Sequence, residues 1–321
     1  MSCRTDPNNS NQQGGGASRH GELPVATREK TGRAALARPT DINLSVADVY
    51  TIGIGPSSSH TVGPMRAGFR FRADLQSGGL LDRVATVTIK LFGSLALTGR
   101  GHGTDGAVIL GLTGERPRWV DPDQGKIVVE AVRQSATLHL DGTHPIPFRE
   151  GEHLVFLGGE TLPEHPNAMR LTARDEAGTV LHRCEFFSVG GGFVVTRYEN
   201  DRFQTPAADV TLKHPFSSAA ELLDIGERHD LRIPQIMLEN EGAWRDEDET
   251  RAFLRSVHQA MAACIRRGCK REGVLPGGLG VHRRARRIYR DLKKQPEAAL
   301  KDPLTVLDWV NLYALAVPFM F

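Results

Sequence analysis

Cysteine is scarce in this sequence, which has four, Cys3, Cys184, Cys264 and Cys269, among 321 residues. Four scattered cysteines are too few for a disulfide scaffold, and this usage is typical of a reducing compartment. Cys264 and Cys269 lack the CxxC spacing of zinc and redox pairs, so we expect them to have a packing or surface role. The scarcity of cysteine therefore predicts a cytoplasmic location.

Long apolar runs and an excess of charge of one sign are also missing. No stretch is long enough to span a membrane. The 40 basic and 38 acidic side chains leave a formal charge of +2, which neither favours nor excludes a nucleic-acid partner. The arginine-rich run at 283–290 lacks interleaved aromatic residues and is typical of a solvated helix face. We therefore predict neither a membrane nor a nucleic acid as a partner.

The chain is long enough for two domains, and 40% of its residues are hydrophobic. Residues 1–43 have few bulky apolar side chains and no apolar stretch after their basic residues. They are predicted to be a disordered leader rather than a secretory signal. The composition changes again near residue 200, from a β-rich pattern to a helical one. We predict a first domain at 44–200, a linker at 201–213 and a helical domain at 214–321.

One polar stretch, Gly53–Met65, reads GIGPSSSHTVGPM. Its centre is a run of hydroxyl and imidazole side chains: Ser57, Ser58, Ser59, His60 and Thr61. Pro64 suits the first turn of a helix. The run is therefore predicted to be a loop that delivers backbone N–H groups to a helix N-terminus, where a phosphate or carboxylate binds well. An N-cap alone would need only one hydroxyl, so we favour an anion site.

A second polar cluster follows a predicted strand. Residues 84–92 alternate between apolar and polar side chains, which predicts a half-buried strand. The glycines of 93–103 then predict a flexible loop that leads into a short apolar helix, Ala107–Leu112. The polar residues at this junction are His102, Thr104 and Asp105. A histidine between glycines is often only a turn residue, but the Ser/Thr/His run in the same domain favours a functional role.

The remainder of the first domain is predicted to be β-rich, and the second domain helical. A hairpin is predicted around Asp175–Gly178, and Gly190–Gly192 interrupts the next strand as a bulge or as a close backbone approach. Ser218 and Glu221 fit a capping box, and Asp246–Arg267 is predicted to be an amphipathic helix. These patterns predict an α+β fold, with an α/β domain followed by an all-α domain.

Four sequence blocks, taken in order, resemble one family. They are GIGPSSSHTVGPM, LFGSLALTGRGHGTD, SVGGGF and EGVLPGGLGVHRRA. The chain resembles the iron–sulfur L-serine dehydratases (L-serine ammonia-lyases) from about Leu44 to Val317. The resemblance implies an N-terminal domain similar to the anion-binding regulatory domain of some phosphoglycerate dehydrogenases. It implies an all-helical catalytic domain after it.

The resemblance also implies a reaction. In that family a [4Fe–4S] cluster acts as a Lewis acid on the serine β-hydroxyl, a base removes the α-proton, and the aminoacrylate decays to pyruvate and ammonia. L-serine or a similar small amino acid is thus the expected substrate, in amino-acid catabolism and gluconeogenesis. The expected catalytic residues are Ser57, Ser58, Ser59, His60 and Thr61, and the expected substrate-binding residues are His102, Thr104 and Asp105. Two kinds of role stay open for these residues: contact with the carboxylate or amino group of the substrate, and proton transfer.

The sequence departs from the family pattern in its cysteines and at its end. Three cysteines hold the family's cluster, and none of the four in this chain matches a ligand position, so no metal ligand is predicted here. The last predicted helix begins at Pro303, and its apolar stripe is Leu304, Leu307, Val310, Ala314 and Val317. Because only Pro318–Phe321 follows, we expect a truncated catalytic domain with a partly exposed stripe.

Two hypotheses for the chain stay open. In the first, it is a serine dehydratase that lacks the segment holding the cluster. In the second, it is a non-catalytic serine- or anion-binding module, or one part of a split enzyme. The expected assembly is a homodimer or a complex with a completing chain.

Overall fold

The computed structural model describes residues 43–197, 210–275, 280–294, 297 and 303–317. The predicted leader, apart from its last residue, and positions 201–209 of the predicted linker lie outside these residues, so both stay predictions. Within the described ranges, a sheet-containing part is followed by a helical part. This order confirms the predicted α+β fold.

A five-stranded sheet is the centre of the first part. The strands are β1 (Thr86–Phe92), β2 (Thr137–Leu140), β3 (His144–Pro147), β4 (Leu154–Leu157), β5 (Ala168–Arg174), β6 (Val180–Gly190) and β7 (Phe193–Thr196). The sheet has the order β4-β1-β5-β6-β7, and β2 and β3 form a separate hairpin. β1 runs parallel to β4 and antiparallel to β5, and β5–β6 and β6–β7 are antiparallel pairs. The predicted β-rich region and the hairpin at Asp175–Gly178 are therefore confirmed.

The first part also contains five helices, and α2 and α3 lie directly against the sheet. The five are α1 (Val46–Val49), α2 (Gly63–Ser77), α3 (Gly93–His102), α4 (Thr104–Leu112) and α5 (Pro122–Ser135). Phe71 of α2 and the apolar residues of α4 share one core with Leu91 of β1. α2 and α4 meet at Gly68 and Gly111. An added Cβ on Gly68 would lie 2.6 Å from the Val108 carbonyl oxygen, and one on Gly111 would lie 2.1 Å from the Met65 carbonyl oxygen. The backbones of the two helices touch because these positions carry no side chain.

The glycine-rich segment at 93–103 is a helix, and the prediction of a flexible loop there was wrong. The first N–H groups of α3 have acceptors outside the helix: Gly93 N–H donates to Glu160 O (2.8 Å) and Ser94 N–H to Pro166 O (2.9 Å). These contacts satisfy donors that a helix start leaves without intrahelical partners. α3 ends at Gly103, which has φ +66°, and α4 begins at once at Thr104. The predicted apolar helix is therefore real but starts three residues earlier.

The glycine triplet after β6 turns the chain back into β7. Gly191 and Gly192 both have positive φ, as the two central residues of a tight hairpin turn require. The pairing register also shifts between Ser188 and Gly190, which confirms the predicted bulge. A Cβ on Gly192 would lie 2.7 Å from Val62, so the predicted close approach is present as well.

The second part contains α6 (Ala219–His229), α7 (Ile233–Glu241), α8 (Glu247–Gly268), α9 (Ala285–Leu292) and α10 (Pro303–Ala316). Ser218 caps α6 by accepting from Glu221 N–H, while the Glu221 carboxylate accepts from Ser217 N–H instead of completing the predicted capping box. Asp246 does form a capping box at the start of α8. No helix in the described ranges has both the length and the apolar character needed to cross a bilayer.

Residues next to α1 bind the helical part. Glu241 of α7 accepts from Val46 N–H (2.6 Å) and from the Ser45 hydroxyl (3.0 Å). Arg245 completes this buried group through an ion pair to Glu241 of 2.7 Å. Although we predicted that the first domain starts at residue 44, these contacts attach its first turn to the helices.

Candidate functional site

The polar run belongs to a helix. Ser58–Val62 forms a π-helical turn that continues directly into α2. The Ser57 hydroxyl is the N-cap and accepts from His60 N–H at 3.1 Å. The predicted loop that would end at Pro64 was therefore wrong, and the capping alternative holds for Ser57 alone. The four polar residues after it lie in the first turn of the helix.

The backbone before this turn folds closely against it. Gly55 has φ +84°, and an added Cβ would lie 2.1 Å from Thr61 Cγ2. Only glycine combines this backbone conformation with this approach. The Ser58 and Ser59 N–H groups donate to no acceptor in the described part of the protein, so they remain available at the helix start. Such N–H groups suit a carboxylate.

His60 is held at both ring nitrogens. Its Nδ1 lies 2.9 Å from Ser59 Oγ, and its Nε2 lies 3.0 Å from Ser94 Oγ. A neutral imidazole has one donor and one acceptor nitrogen, and hydroxyls match either arrangement. Burial, and next the nearby His102, lower the pKa of His60 below its ordinary value of 6.5, while the contact with Ser94 partly opposes this. The ring is therefore neutral at neutral pH and able to accept a proton.

Two buried threonines cross-link the turn to the junction of α3 and α4. The Thr61 hydroxyl donates to His102 O at 2.8 Å, and the Thr104 hydroxyl donates to His60 O at 2.5 Å. Each threonine thus binds the backbone of the other segment's histidine. The two imidazole rings come to a centroid distance of 4.9 Å. The threonines position the histidines and have their hydroxyls committed to the backbone.

The remaining residues of the two predicted polar segments differ in their exposure and in their hydrogen bonds. His102 is half-buried, and its Nδ1–H donates to Thr98 O at 2.8 Å, which leaves Nε2 as the acceptor in the neutral ring. Ser57 and Ser59 have their hydroxyl oxygens 3.4 Å apart. Ser58 is exposed at the rim. The structure therefore brings together both predicted polar segments, with Ser58 at their edge.

Asp105 is engaged elsewhere. Its carboxylate lies 2.7 Å from the Arg133 guanidinium of α5, which also binds Glu150 at 2.9 Å. Burial raises the pKa of Asp105, and Arg133 partly counteracts this. The Asp105 carboxylate makes an ion pair that ties α4 to α5, and no hydrogen bond joins it to His60. This geometry favours a structural role over the predicted contact with substrate.

Ser94 was missed by the sequence reasoning. It lies immediately after the end of β1, where α3 begins, and its hydroxyl contacts His60 Nε2. A hydroxyl between a predicted strand and a polar segment is a signal that was available. Because 93–103 was predicted to be a flexible loop, in which a residue has no fixed partner, Ser94 was not predicted to be a site residue.

The described cysteines do not fit an iron–sulfur cluster, which needs several thiolates in one place. Cys184 is buried in β6, whereas Cys264 and Cys269 lie at the end of α8. Burial raises the pKa of the Cys264 and Cys269 thiols, which opposes the thiolate form. Among the described residues, no group of three or more His, Cys, Asp or Glu side chains could hold a metal ion. We therefore derive no reaction step through a cluster.

Comparisons with known proteins agree with one another. Residues 45–199 match the family described as serine dehydratase beta chain, and residues 228–320 match the serine dehydratase alpha chain. An L-serine dehydratase of Streptomyces coelicolor is 45% identical over 275 residues, which cover 85% of this chain and 59% of that protein. L-serine dehydratase 1 of Escherichia coli is 41% identical over 276 residues, covering 85% of this chain and 60% of that protein.

A more distant relative has the same coverage. An L-serine dehydratase of Helicobacter pylori is 38% identical over 276 residues, which are 86% of this chain and 59% of that protein. The chain thus spans about three fifths of the length of the relatives that it matches.

Proposed function

Because this chain belongs to the L-serine dehydratase family, we propose that it takes part in the conversion of L-serine to pyruvate and ammonia. Its proposed contribution is to hold the substrate at the polar turn Ser58–Val62. The names of the relatives support L-serine as the substrate. The proposal is limited to what this chain's residues do, since the chain spans about three fifths of those proteins.

The observation that carries the proposal is the position of His60. It lies in the first turn of a helix, between two hydroxyls, with its pKa lowered. The substrate carboxylate would accept from the Ser58 and Ser59 N–H groups, where the positive end of the helix dipole also attracts an anion. The nearby neutral imidazole would then be placed to accept a proton from the bound amino acid.

This chemistry balances without an oxidant. L-serine loses its α-proton and its β-hydroxyl, which leaves as water, to give aminoacrylate. Addition of water to the imine tautomer then releases ammonia and forms pyruvate. His60 would take the α-proton and pass it to the departing hydroxide, which then leaves as water, with the Ser59 and Ser94 hydroxyls satisfying its ring nitrogens. Thr61 and Thr104 would keep the two segments in register through their bonds to backbone oxygens.

A second candidate is binding of L-serine without turnover, as a module that another chain completes. The dispersal of the described cysteines favours it. Both candidates share the same binding site, so they are separated by measuring affinity and pyruvate release independently. A homodimer or a completing chain as partner, and a cytoplasmic location, belong to the same proposal.

Isothermal titration with L-serine tests the site directly. We expect saturable binding that His60→Ala weakens about 10- to 100-fold, because one hydrogen bond to a charged group contributes about 1.5–3 kcal/mol. His139→Ala is the matched control, since His139 is an exposed residue of β2. D-serine should bind less tightly than L-serine, because the contacts to the carboxylate and the α-carbon have a fixed handedness.

Pyruvate release measured on the same samples separates the two candidates. Turnover that His60→Ala lowers more than it lowers affinity supports proton handling by the imidazole. Binding without any turnover supports the second candidate. If His60→Ala binds and turns over L-serine like the wild type, the polar turn is not the substrate site.

A further inference from the structure

A second cavity lies on α2, separate from the polar turn. Its volume is about 520 Å³, within the range of small-molecule sites. Four arginines line it, Arg66, Arg70, Arg116 and Arg118, and no Asp or Glu does. No residue of the Ser58–Val62 turn contributes to its wall. The cavity is therefore strongly cationic and independent of the site proposed for L-serine.

Three of these cations lack a counterion. Arg66, Arg116 and Arg118 form no ion pair with any carboxylate in the described part of the chain. Arg66 instead donates to the Gly192 carbonyl at 2.7 Å, and its burial lowers the pKa of the guanidinium. Arg116 rests on the Phe69 ring at 4.5 Å from the centroid. Several guanidinium groups along one cavity wall that holds no carboxylate leave a favourable place for an anion.

The cavity also presents aromatic rings. Trp119 is 71% exposed and Phe193 is 37% exposed, and both belong to its wall. Arg118 lies over the Trp119 ring at 5.1 Å. Exposed rings of this size suit stacking against a planar ligand, and a nearby guanidinium strengthens such stacking.

We propose that this cavity binds a small planar aromatic ring that carries an anionic group, with the ring against Trp119 and the anion toward Arg116. A nucleoside monophosphate and an aromatic carboxylate both have this chemistry. The cavity is large enough for either. The ligand class follows from the combination of uncompensated arginines and exposed rings in one concave surface, which the reaction on L-serine does not use.

Isothermal titration of the full chain with four probes tests the proposal: adenosine monophosphate, adenosine, inorganic phosphate and benzoate. We expect the monophosphate to bind with a dissociation constant between about 10 µM and 1 mM, and more tightly than adenosine or phosphate alone. Benzoate binding without binding of the monophosphate identifies the carboxylate as the ligand and also supports the proposal. Saturation by neither compound below about 10 mM overturns it.

Three variants locate the binding. Arg116→Gln and Trp119→Ala should each weaken it about tenfold or more, and both residues are exposed, so neither change removes core packing. Arg149→Gln is the matched control, because Arg149 is an exposed arginine of the same domain outside the cavity. Equal affinity of all three variants overturns the location. If His60→Ala still binds the monophosphate or benzoate, this site does not depend on the L-serine site.

Discussion

The two parts of the molecule differ in how completely they bury their apolar residues. In the sheet-containing part, one core joins α2 and α4 to the central strands, and Phe71, Leu91 and Ile109 have no exposed surface. In the helical part, the buried cluster consists of Cys269, Ala285, Leu312 and Ala316. A regular apolar stripe therefore formed a helix in both parts, but only the first provides a complete partner surface for it within the described residues.

The last helix shows this contrast most clearly. Leu304 is 70% exposed, and Leu307 and Val310 are each 56% exposed. The predicted partial exposure of the α10 stripe is thus confirmed. The period of the stripe was readable from the sequence, because it depends only on helix geometry. The burial of the stripe could not be predicted from the sequence, because burial depends on which other surface packs against the stripe.

The largest expected effect is the loss of a core aromatic residue. Phe71→Ala should lower the free energy of unfolding by about 3–5 kcal/mol, because it leaves a cavity between α2 and the sheet. Leu307→Ala should change it by less than about 0.5 kcal/mol, because that side chain is already exposed. Urea unfolding followed by circular dichroism measures both. Equal losses for the two variants would show that the α10 stripe is covered in solution.

Two glycines at helix contacts sharpen the comparison. A Cβ on Gly111 would lie 2.1 Å from Met65 O, and one on Gly268 would lie 2.0 Å from Ala316 O. We expect Gly111→Ala to destabilise the protein by about 2–3 kcal/mol, because α2 and α4 are both fixed on the sheet. Gly268→Ala should have a smaller effect, because α10 has few buried contacts and moves aside.

Hydrogen exchange distinguishes these two outcomes. Gly268→Ala should accelerate exchange in α8 and α10 alone, whereas Gly111→Ala should accelerate it across the sheet. Gly101→Ala is the control, since Gly101 lies in α3 with open space where the Cβ would be, and it should not destabilise the fold. Global acceleration by Gly268→Ala would contradict the contrast between the two parts.

The sequence predicted the elements whose signals are local. Alternation located β1, and polar caps located the starts of α6 and α8, because both depend on a few neighbouring residues. The helix at 93–103 was missed because its start is stabilised by carbonyls of Glu160 and Pro166, which are distant in sequence. The glycine content of this segment indicated a flexible backbone, but these distant contacts determine its helical conformation.

The candidate site was predicted in part for the same reason. The hydroxyl and imidazole run and its companion segment do meet, through Thr61 and Thr104. The ion pair of Asp105 with Arg133 could not be read from the sequence, because it requires the packing of α4 on α5. The sequence thus indicated which types of residue form the site, and the fold determined which of them contact each other.

Helix caps provide a smaller test in both parts. Ser57→Ala and Ser218→Ala each remove a hydroxyl that accepts from a backbone N–H group. Each change should destabilise its helix by about 1 kcal/mol. We expect Ser57→Ala to lower the unfolding midpoint of the whole sheet-containing part, and Ser218→Ala to increase exchange in α6 only. A shared global shift for both would indicate that the two parts unfold as one unit.

The smallest expected effect is the pH dependence that His60 contributes in the first part. The pKa of His60 is lowered from its ordinary value of 6.5 by burial and by His102. As pH falls below 6.5, the unfolded chain therefore binds a proton at this residue before the folded protein does. Because the unfolded state then holds more protons, the stabilisation present above pH 6.5 is lost as pH falls through the lowered pKa.

His60→Gln keeps a hydrogen-bonding side chain but removes this titration, so its free energy of unfolding should fall less than that of the wild type between about pH 7.5 and pH 5. His258→Gln, at an exposed position of α8, controls for the loss of a histidine and should follow the wild type. Parallel stability curves for the wild type and His60→Gln would show that the imidazole is not buried as the structure has it, and the neutral ring proposed for proton transfer would lose its basis.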